Sequence, residues 1–162
     1  MVVADDLWTS LIVGISGSAT LVWVCVTDLR ERLIPNRALM FGSLPVLVAV
    51  ATFSPDLLPG RFLWAFAAAI PFAFVSWFRP DSMGMGDAKL VGFIGLCLGS
   101  AVVTAVICAL VVGCLAAVFL FARQGLAARK ATIPFAPYLA FGAVFAAIGA
   151  GWVFQITHLA GS

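Results

Sequence analysis

The chain has 162 residues, of which 64% are hydrophobic and only 10% charged, and its formal net charge is +2. A soluble domain of this size needs a polar surface that this composition cannot provide, so an integral membrane protein is expected. The net charge is too small to indicate nucleic-acid binding, and no nucleic-acid partner is expected.

Five uncharged runs follow one another along the chain, and they comprise residues 7–27, 38–55, 62–78, 90–122 and 131–157. A helix needs about 20 apolar residues, within a range of about 17 to 25, to cross a bilayer. Four of the runs therefore suit one crossing each. The fourth run is too long for one crossing and is shorter than the roughly 40 residues that two full crossings need.

The positions of the basic residues decide how the fourth run is interpreted, because Lys and Arg in short loops stay on the cytoplasmic side. If the run turns near Gly99 and Ser100, only Arg61 lies on the other side. The remaining eight are Arg30, Arg32, Arg37, Arg79, Lys89, Arg123, Arg129 and Lys130. We therefore predict an all-α fold: a single domain over residues 1–162 with six transmembrane helices, both termini outside and three basic loops in the cytoplasm.

A turn at this position makes the fourth helix short. A helix from Asp87 to Leu98 is only about 18 Å long at 1.5 Å per residue, whereas the hydrocarbon core is about 30 Å thick. Either the turn comes later than Leu98, or Asp87 begins below the membrane surface. Both options leave a carboxylate close to hydrocarbon.

The stretch "DLRERLIPN", residues 28–36, follows the first apolar run. Asp28 comes at the end of the predicted first helix, where a negative charge is disfavoured by roughly 0.3–1 kcal/mol. One interpretation is a solvated interfacial residue beside Arg30 and Arg32; the other is a functional acid. Pro35 stops any continuation of the helix and favours an extended conformation at Ile34.

The stretch "GMGDAKL", residues 84–90, precedes the fourth apolar run. Asp87 suits the N-cap of a helix, and two glycines before a helix are ordinary loop residues. Alternatively, Gly84 and Gly86 remove side chains from both sides of Asp87, so that a substrate backbone could pass close to its carboxylate. This stretch alone leaves both interpretations open.

The predicted topology places Asp28 and Asp87 on the same membrane face, at the ends of different helices. Two carboxylates that share a proton can activate a water, and peptide hydrolysis by such a dyad needs no metal. The helix dipoles favour Asp87 as the base and Asp28 as the acid, although which of them is the base stays open. Asp56 falls on the opposite side, and Asp81 is interpreted as a turn residue.

No metal or other cofactor is expected. His158 is the only histidine, and the four cysteines, which are interpreted as small, buried, reduced side chains, form no CxxC pair. A metal site made of His and Cys is therefore not predicted.

Together with "IPFAPYLAFGA" (133–143), the two stretches resemble the type IV prepilin peptidases, which are membrane aspartic proteases of the GxGD kind. The first two stretches resemble the family's two catalytic-aspartate motifs, and the third resembles the start of its last helix. The resemblance covers essentially the whole chain and implies Asp28 and Asp87 as the catalytic residues. It places five further residues in the motifs or near the approach of the substrate: Gly84, Gly86, Lys89, Pro35 and Asn36.

The resemblance implies an aspartic endopeptidase of the inner or cytoplasmic membrane that cleaves the basic leader from a prepilin or pseudopilin at the cytoplasmic face. The lipid bilayer is the other expected partner, and the oligomeric state is left open. Larger relatives carry an N-terminal methyltransferase region and a loop with paired CxxC motifs. This sequence resembles the short form without them, as in the tight-adherence (Flp) pilus branch or archaeal relatives that process preflagellins, so N-methylation is not expected.

Three alternatives stand beside this interpretation. A presenilin-like GxGD protease shares the second motif, but the context of the first motif favours prepilins. A small proton-coupled transporter also uses membrane acids, yet it predicts related halves or acids near the midplane, and the sequence shows neither. A non-catalytic assembly subunit with the same fold is not excluded by one sequence.

Overall fold

The computed structural model describes residues 2–31, 33–78, 84–124 and 134–160. Within these residues it contains no strand, and its six α-helices are α1 Val2–Glu31, α2 Asn36–Phe53, α3 Leu58–Phe78, α4 Met85–Leu98, α5 Val102–Gln124 and α6 Ala136–Ala160. The predicted all-α class is confirmed. Several residues of the predicted loops and motifs lie outside the described residues: Arg32, Arg79, Asp81, Arg129, Lys130 and Ile133.

Among the described residues, four helical segments are long and apolar enough to cross a membrane, and one of them, Met85–Arg123, comprises α4, α5 and the short turn between them. The outer surface agrees with a lipid environment, because large apolar side chains such as Trp77, Met40 and Phe41 are about two-thirds or more exposed (78%, 69% and 68%). An apolar surface of this extent is not found on monomeric soluble proteins. The count of six crossings remains a prediction.

The long apolar run is broken where the sequence predicted a turn. Helix α4 ends at Leu98, and Gly99 has a φ of +58°, a backbone conformation that glycine adopts without steric cost. A short 3₁₀ turn, Gly99–Ala101, then leads into α5. The chain therefore changes direction at the predicted Gly99–Ser100 position and not later.

Helix α5 runs antiparallel to α6, as the contacts between residues of the two helices show. A Cβ on Gly142 in the second turn of α6 would meet Ala105 near the start of α5, whereas Gly113 further along α5 lies beside Tyr138 at the start of α6. The first residue of α6 lies next to the last turn of α1. After the turn, α5 therefore returns towards the end of the bundle at which α1 ends.

The helices pack as three consecutive pairs, α1 with α2, α3 with α4 and α5 with α6. Each pair has a glycine at its closest approach: Gly42 faces Thr20, Gly95 faces Ala65 and Gly142 faces Ala105. Small residues let helix backbones approach closely, which is how helices associate in lipid without a hydrophobic driving force. The buried core lies where α1, α4 and α6 meet, around Val24, Leu90, Val91, Ile94 and Leu139.

The pairing of α3 with α4 fixes the depth of Asp87. Gly95 faces Ala65 and Gly92 faces Ala69, so the two helices are antiparallel. The 21 residues of α3 span about 31 Å, close to the thickness of a hydrocarbon core, whereas the 14 residues of α4 span about 21 Å. Both ends of α4 therefore lie inside the ends of α3. Asp87 therefore lies below the level at which α3 ends, which agrees with the second of the two options that the sequence left open. Its depth relative to a membrane surface stays a prediction.

Candidate active site

Asp28 lies in the last turn of α1, and its side chain is only 7% exposed. Its Oδ2 atom accepts a hydrogen bond of 3.1 Å from the backbone N–H of Ala136, which is 108 residues away in sequence. Ala136 is the first residue of α6. The carboxylate is thereby held at the positive end of the α6 dipole. Asp28 is a buried acid with a defined hydrogen-bond donor, and not the solvated residue beside Arg30 that one interpretation of the sequence described.

The start of α6 shows why the third motif matters to Asp28. The first N–H groups of a helix have no partner within the helix. At the start of α6, Pro137 has no N–H to satisfy, and the N–H groups of Tyr138 and Leu139 both donate to the carbonyl of Phe135, at 3.1 and 3.2 Å. The N–H of Ala136 remains without a partner inside the helix, and it donates to Asp28. Asp28 therefore acts as the cap of a helix that has no capping side chain of its own.

Sequence reasoning identified the "IPFAPYLAFGA" stretch but missed the role of Ala136. A local signal existed, because this predicted helix start lacks a Ser, Thr, Asp or Asn at the cap. An uncapped helix that begins inside a membrane protein needs an acceptor from elsewhere in the chain. The sequence did not show which acceptor that is.

Asp87 lies in the first turn of α4, whose N-cap is Gly84 with φ −77° and ψ 145°. The interpretation of Asp87 as the N-cap is therefore wrong, since Asp87 is the third residue of the helix. Its N–H donates to the Gly84 carbonyl at 3.1 Å. The carboxylate of Asp87 therefore lies at the positive end of the α4 dipole, which favours a negative charge there.

The fold brings the two acids together. Asp28 and Asp87 are close enough for their charges to interact, and their helices, α1 and α4, contact each other and α6. Asp28 is buried, and Asp87 is only partly buried. The pair thus combines one fixed, enclosed carboxylate with one that is more accessible, and two such acids can serve as proton donor and proton acceptor.

The two glycines of the second motif have different surroundings. A Cβ on Gly86 would lie 2.9 Å from the Cβ of Ile34, so the absence of a side chain lets this motif pack against the first one. A Cβ on Gly84 would meet nothing closer than 3.8 Å and would lie 3.9 Å from Oδ2 of Asp87. Only Gly84 therefore leaves open space beside the acid, whereas the side of Gly86 is filled by Ile34.

Lys89, Pro35 and Asn36 join α4 to the start of α2. Pro35 is the N-cap of α2, and Asn36 is its first residue. The Nζ atom of Lys89 donates to Oδ1 of Asn36 at 3.0 Å. The contact of Lys89 is thus with the first motif and holds α2 and α4 together beside the acids.

A groove lies between α2, α3 and α4 on the other side of α4 from the core. Its volume is about 600 Å³, and it begins beside the turn that carries Asp87. Its lining is apolar apart from Asn36, Ser43 and Lys89. It consists of Asn36, Leu39, Met40, Ser43, Phe62, Ala65, Phe66, Ala69, Ala73, Met85, Ala88, Lys89, Gly92, Phe93 and Leu96.

Two further acids whose side chains the structure describes are exposed and are not enclosed with this pair. Asp56 is exposed in the short turn before α3, and Glu31 is exposed at the end of α1. All four cysteines are free. Cys114 is exposed and the other three are half-buried, so the predicted burial of the cysteine side chains is wrong. Among the residues that the structure describes, no group of three or more His, Cys, Asp and Glu residues is placed to hold a metal ion.

Comparison with known proteins gives two matches. The model of the type IV leader peptidase family matches residues 15–148. The prepilin leader peptidase/N-methyltransferase of Bacillus subtilis (strain 168) is 36% identical over 130 residues, which are 78% of this chain and 51% of that protein. The chain therefore spans about half the length of this curated relative. No solved structure matches.

The family match includes every element of the site. Asp28, Asp87, the two glycines of the second motif and the start of α6 all fall within residues 15–148. A match over most of the chain, together with the identity to a curated prepilin leader peptidase, leaves one conclusion: the chain belongs to the type IV leader peptidase family, a family of peptidases.

Proposed function

We propose that this protein is an aspartic endopeptidase that removes the leader peptide from a prepilin or a prepilin-like protein. The proposal rests above all on the pairing of Asp28 with Asp87 at the ends of two apolar helices. Family membership supports it, because the curated relative is a prepilin leader peptidase. The two acids are catalytic in this proposal, and no metal or other cofactor takes part.

The mechanism follows from two carboxyl groups that share one proton. The ionised group takes a proton from a water, whose oxygen attacks the scissile carbonyl, while the protonated group donates to the carbonyl oxygen. As the tetrahedral intermediate collapses, the group that had donated takes a proton back from one of its two hydroxyl groups, the C–N bond breaks, and the proton first taken from water passes to the leaving amine. The dyad then again holds one proton. The hydrogen bond from Ala136 keeps Asp28 in place throughout.

The groove beside Asp87 supports a substrate with an apolar helical segment after the cut. A basic leader would remain in the cytoplasm, where the predicted topology places the basic loops. The apolar segment would lie in the bilayer against α2, α3 and α4, whose groove lining is almost entirely apolar. Gly84 leaves space for the extended backbone of the substrate to approach Asp87.

Co-expression with candidate prepilins tests this function directly. We expect a prepilin to be converted to a shorter product on a gel, and mass spectrometry should place the cut between the basic leader and the apolar segment. The panel should include small Flp-type prepilins, since the chain resembles the short form of the family. Absence of product from every prepilin, with the protein inserted in the membrane, would contradict the proposal.

The proposed topology places the cleavage site at the cytoplasmic face of the cell membrane, with both termini outside. In this topology eight of the nine basic residues fall on the cytoplasmic side, as the preference of Lys and Arg for cytoplasmic loops favours. The turn at Gly99 supports the proposal because it returns the chain towards the acids.

Cysteine labelling can measure this topology. In a background with the four native cysteines replaced, single cysteines at positions 31 and 126 should be protected from impermeant reagents in intact cells. A cysteine at position 57 should be labelled from outside. Labelling of positions 31 and 126 from opposite sides would mean that residues 90–122 cross the membrane only once.

A further inference from the structure

Arg61 is the one basic residue that the predicted topology places away from the cytoplasmic loops, and its side chain is used inside the protein. It lies in the first turn of α3 and is half-buried. Its Nη1 atom donates hydrogen bonds to the backbone carbonyls of Leu96, at 3.0 Å, and Cys97. Both carbonyls belong to the last turn of α4.

The C-terminal end of α4 needs these hydrogen bonds. The last four carbonyls of a helix have no partner within the helix, and an unpaired carbonyl is costly in apolar surroundings. The carbonyl of Gly95 accepts from the N–H of Gly99. The next two, Leu96 and Cys97, accept from Arg61. The positive guanidinium also faces the negative end of the α4 dipole.

The same contact fixes the position of α4 along α3. Ala65 lies one turn after Arg61 on α3, on the same face of the helix. A Cβ on Gly95 would lie 2.7 Å from the Cα of Ala65, so the two backbones touch beside the hydrogen bonds of Arg61. Helix α4 is a single uninterrupted helix of 14 residues. A shift of its C-terminal end along α3 therefore moves Asp87, in its first turn, by a similar amount.

We propose that Arg61 is a positioning residue: by capping the C-terminal end of α4, it sets the depth of this short helix and so holds Asp87 level with Asp28. Arg61 does not touch either acid, because it lies at the opposite end of α4. The inference rests on the proposed function for its effect on cleavage, whereas its effect on the position of α4 can be measured without a substrate.

The structural test is a distance measurement between spin labels at Met40 of α2 and Met85, the first residue of α4, in a cysteine-free background. Arg61→Met removes every hydrogen-bond donor of this side chain. We expect the distribution of distances between the two labels to shift or broaden in this variant. Arg61→Lys keeps a cation with several donors and should retain the wild-type distribution. Asp56→Asn removes a charge near the start of α3 and serves as the matched control, with an unchanged distribution.

The functional test uses the unlabelled variants with a prepilin substrate. Arg61→Met should lower kcat about 10- to 100-fold, because a displacement of about 1 Å at a reacting group has effects of this size. KM should change much less than kcat, since α2 and α3 keep their part of the groove and a displacement of about 1 Å matters most at the reacting groups. Arg61→Lys should recover most of kcat. A general structural defect would lower the amount of folded protein and leave the kcat of the remaining protein unchanged.

Several results would overturn the inference. These are a wild-type distance distribution in Arg61→Met, a shifted distribution with unchanged kcat, or a lowered kcat with an unshifted distribution. If Arg61→Met does not accumulate in the membrane, the same criteria apply to Arg61→Gln, whose shorter side chain cannot span both carbonyls. Failure of the wild-type protein to cleave any prepilin would contradict the proposed function alone, since the distance measurement still decides the role of Arg61.

Discussion

Asp28→Asn and Asp87→Asn should each lower leader cleavage by at least about 1,000-fold, because a dyad that lacks one carboxyl group cannot both donate and accept a proton. The fold should be retained in both variants. The oxygen of an Asn at position 28 can still accept the hydrogen bond that Ala136 now donates to Asp28. Cleavage of a co-expressed prepilin, normalised to the amount of protein in the membrane, measures the effect.

Two further variants separate chemistry from structure at this site. Asp28→Ala should lose both cleavage and the cap of α6, and removal of a helix cap lowers the free energy of unfolding by about 0.5–2 kcal/mol. Asp28→Asn should lose only cleavage. Asp56→Asn should leave both unchanged, because Asp56 is exposed in the turn before α3. Wild-type turnover by either Asn variant of the dyad would show that the catalytic assignment is wrong.

The second large effect is expected at the contact between α5 and α6. Gly142→Ala places a Cβ against the carbonyl oxygen of Ala105 and 3.0 Å from the backbone nitrogen of Ala109. Neither atom can move without moving α5, so we expect the free energy of unfolding to fall by about 1–3 kcal/mol, as for other overpacked interfaces. Cleavage should fall as well, because α6 carries the N–H that holds Asp28.

The same helix offers a matched control for Gly142. A Cβ on Gly149 would meet nothing within 4 Å, and Ala is favoured over Gly in a helix by up to about 1 kcal/mol. Gly149→Ala should therefore be neutral or slightly stabilising. Unfolding in detergent, followed by circular dichroism for the wild type and both variants, measures the difference. Equal stability of the two variants would mean that α5 and α6 are not in backbone contact at Gly142.

The division of roles within the dyad shows where an argument from one helix at a time is incomplete. The sequence places Asp28 at the negative end of α1 and Asp87 at the positive end of α4, which favours Asp87 as the base. In the structure Asp28 also lies at the positive end of α6 and accepts its first N–H. The dipoles of α1 and α6 therefore oppose each other at Asp28. The choice between acid and base depends on both, and closely coupled carboxylates titrate as a pair.

The interpretation of Asp87 failed for a related reason. An Asp before an apolar run is a common N-cap, but an Asp within the first turn of a helix is also favoured by the positive end of the helix dipole. Gly84 has no side chain to act as a cap, and the helix begins immediately after it. The motif therefore starts the helix earlier than the charge pattern indicated, and this keeps Asp87 on the helix, beside Asp28.

The sequence by itself determined the membrane class, the all-α fold and the turn at Gly99, and it supplied the proposal of the two acids. These features are local, because an uncharged run, an acid at its edge and a glycine that breaks a helix each act on neighbouring residues. Only the tertiary structure decided which partners meet. The N–H of Ala136 donates to Asp28, 108 positions away in sequence, and Gly86 fits against Ile34. Arg61 caps the end of α4 through carbonyls that lie 35 and 36 positions later in the sequence. Such contacts depend on how helices are placed side by side. An apolar chain has few charges that could determine this placement. The placement is instead selected by backbone groups left unpaired at helix ends and by glycines that permit close approach.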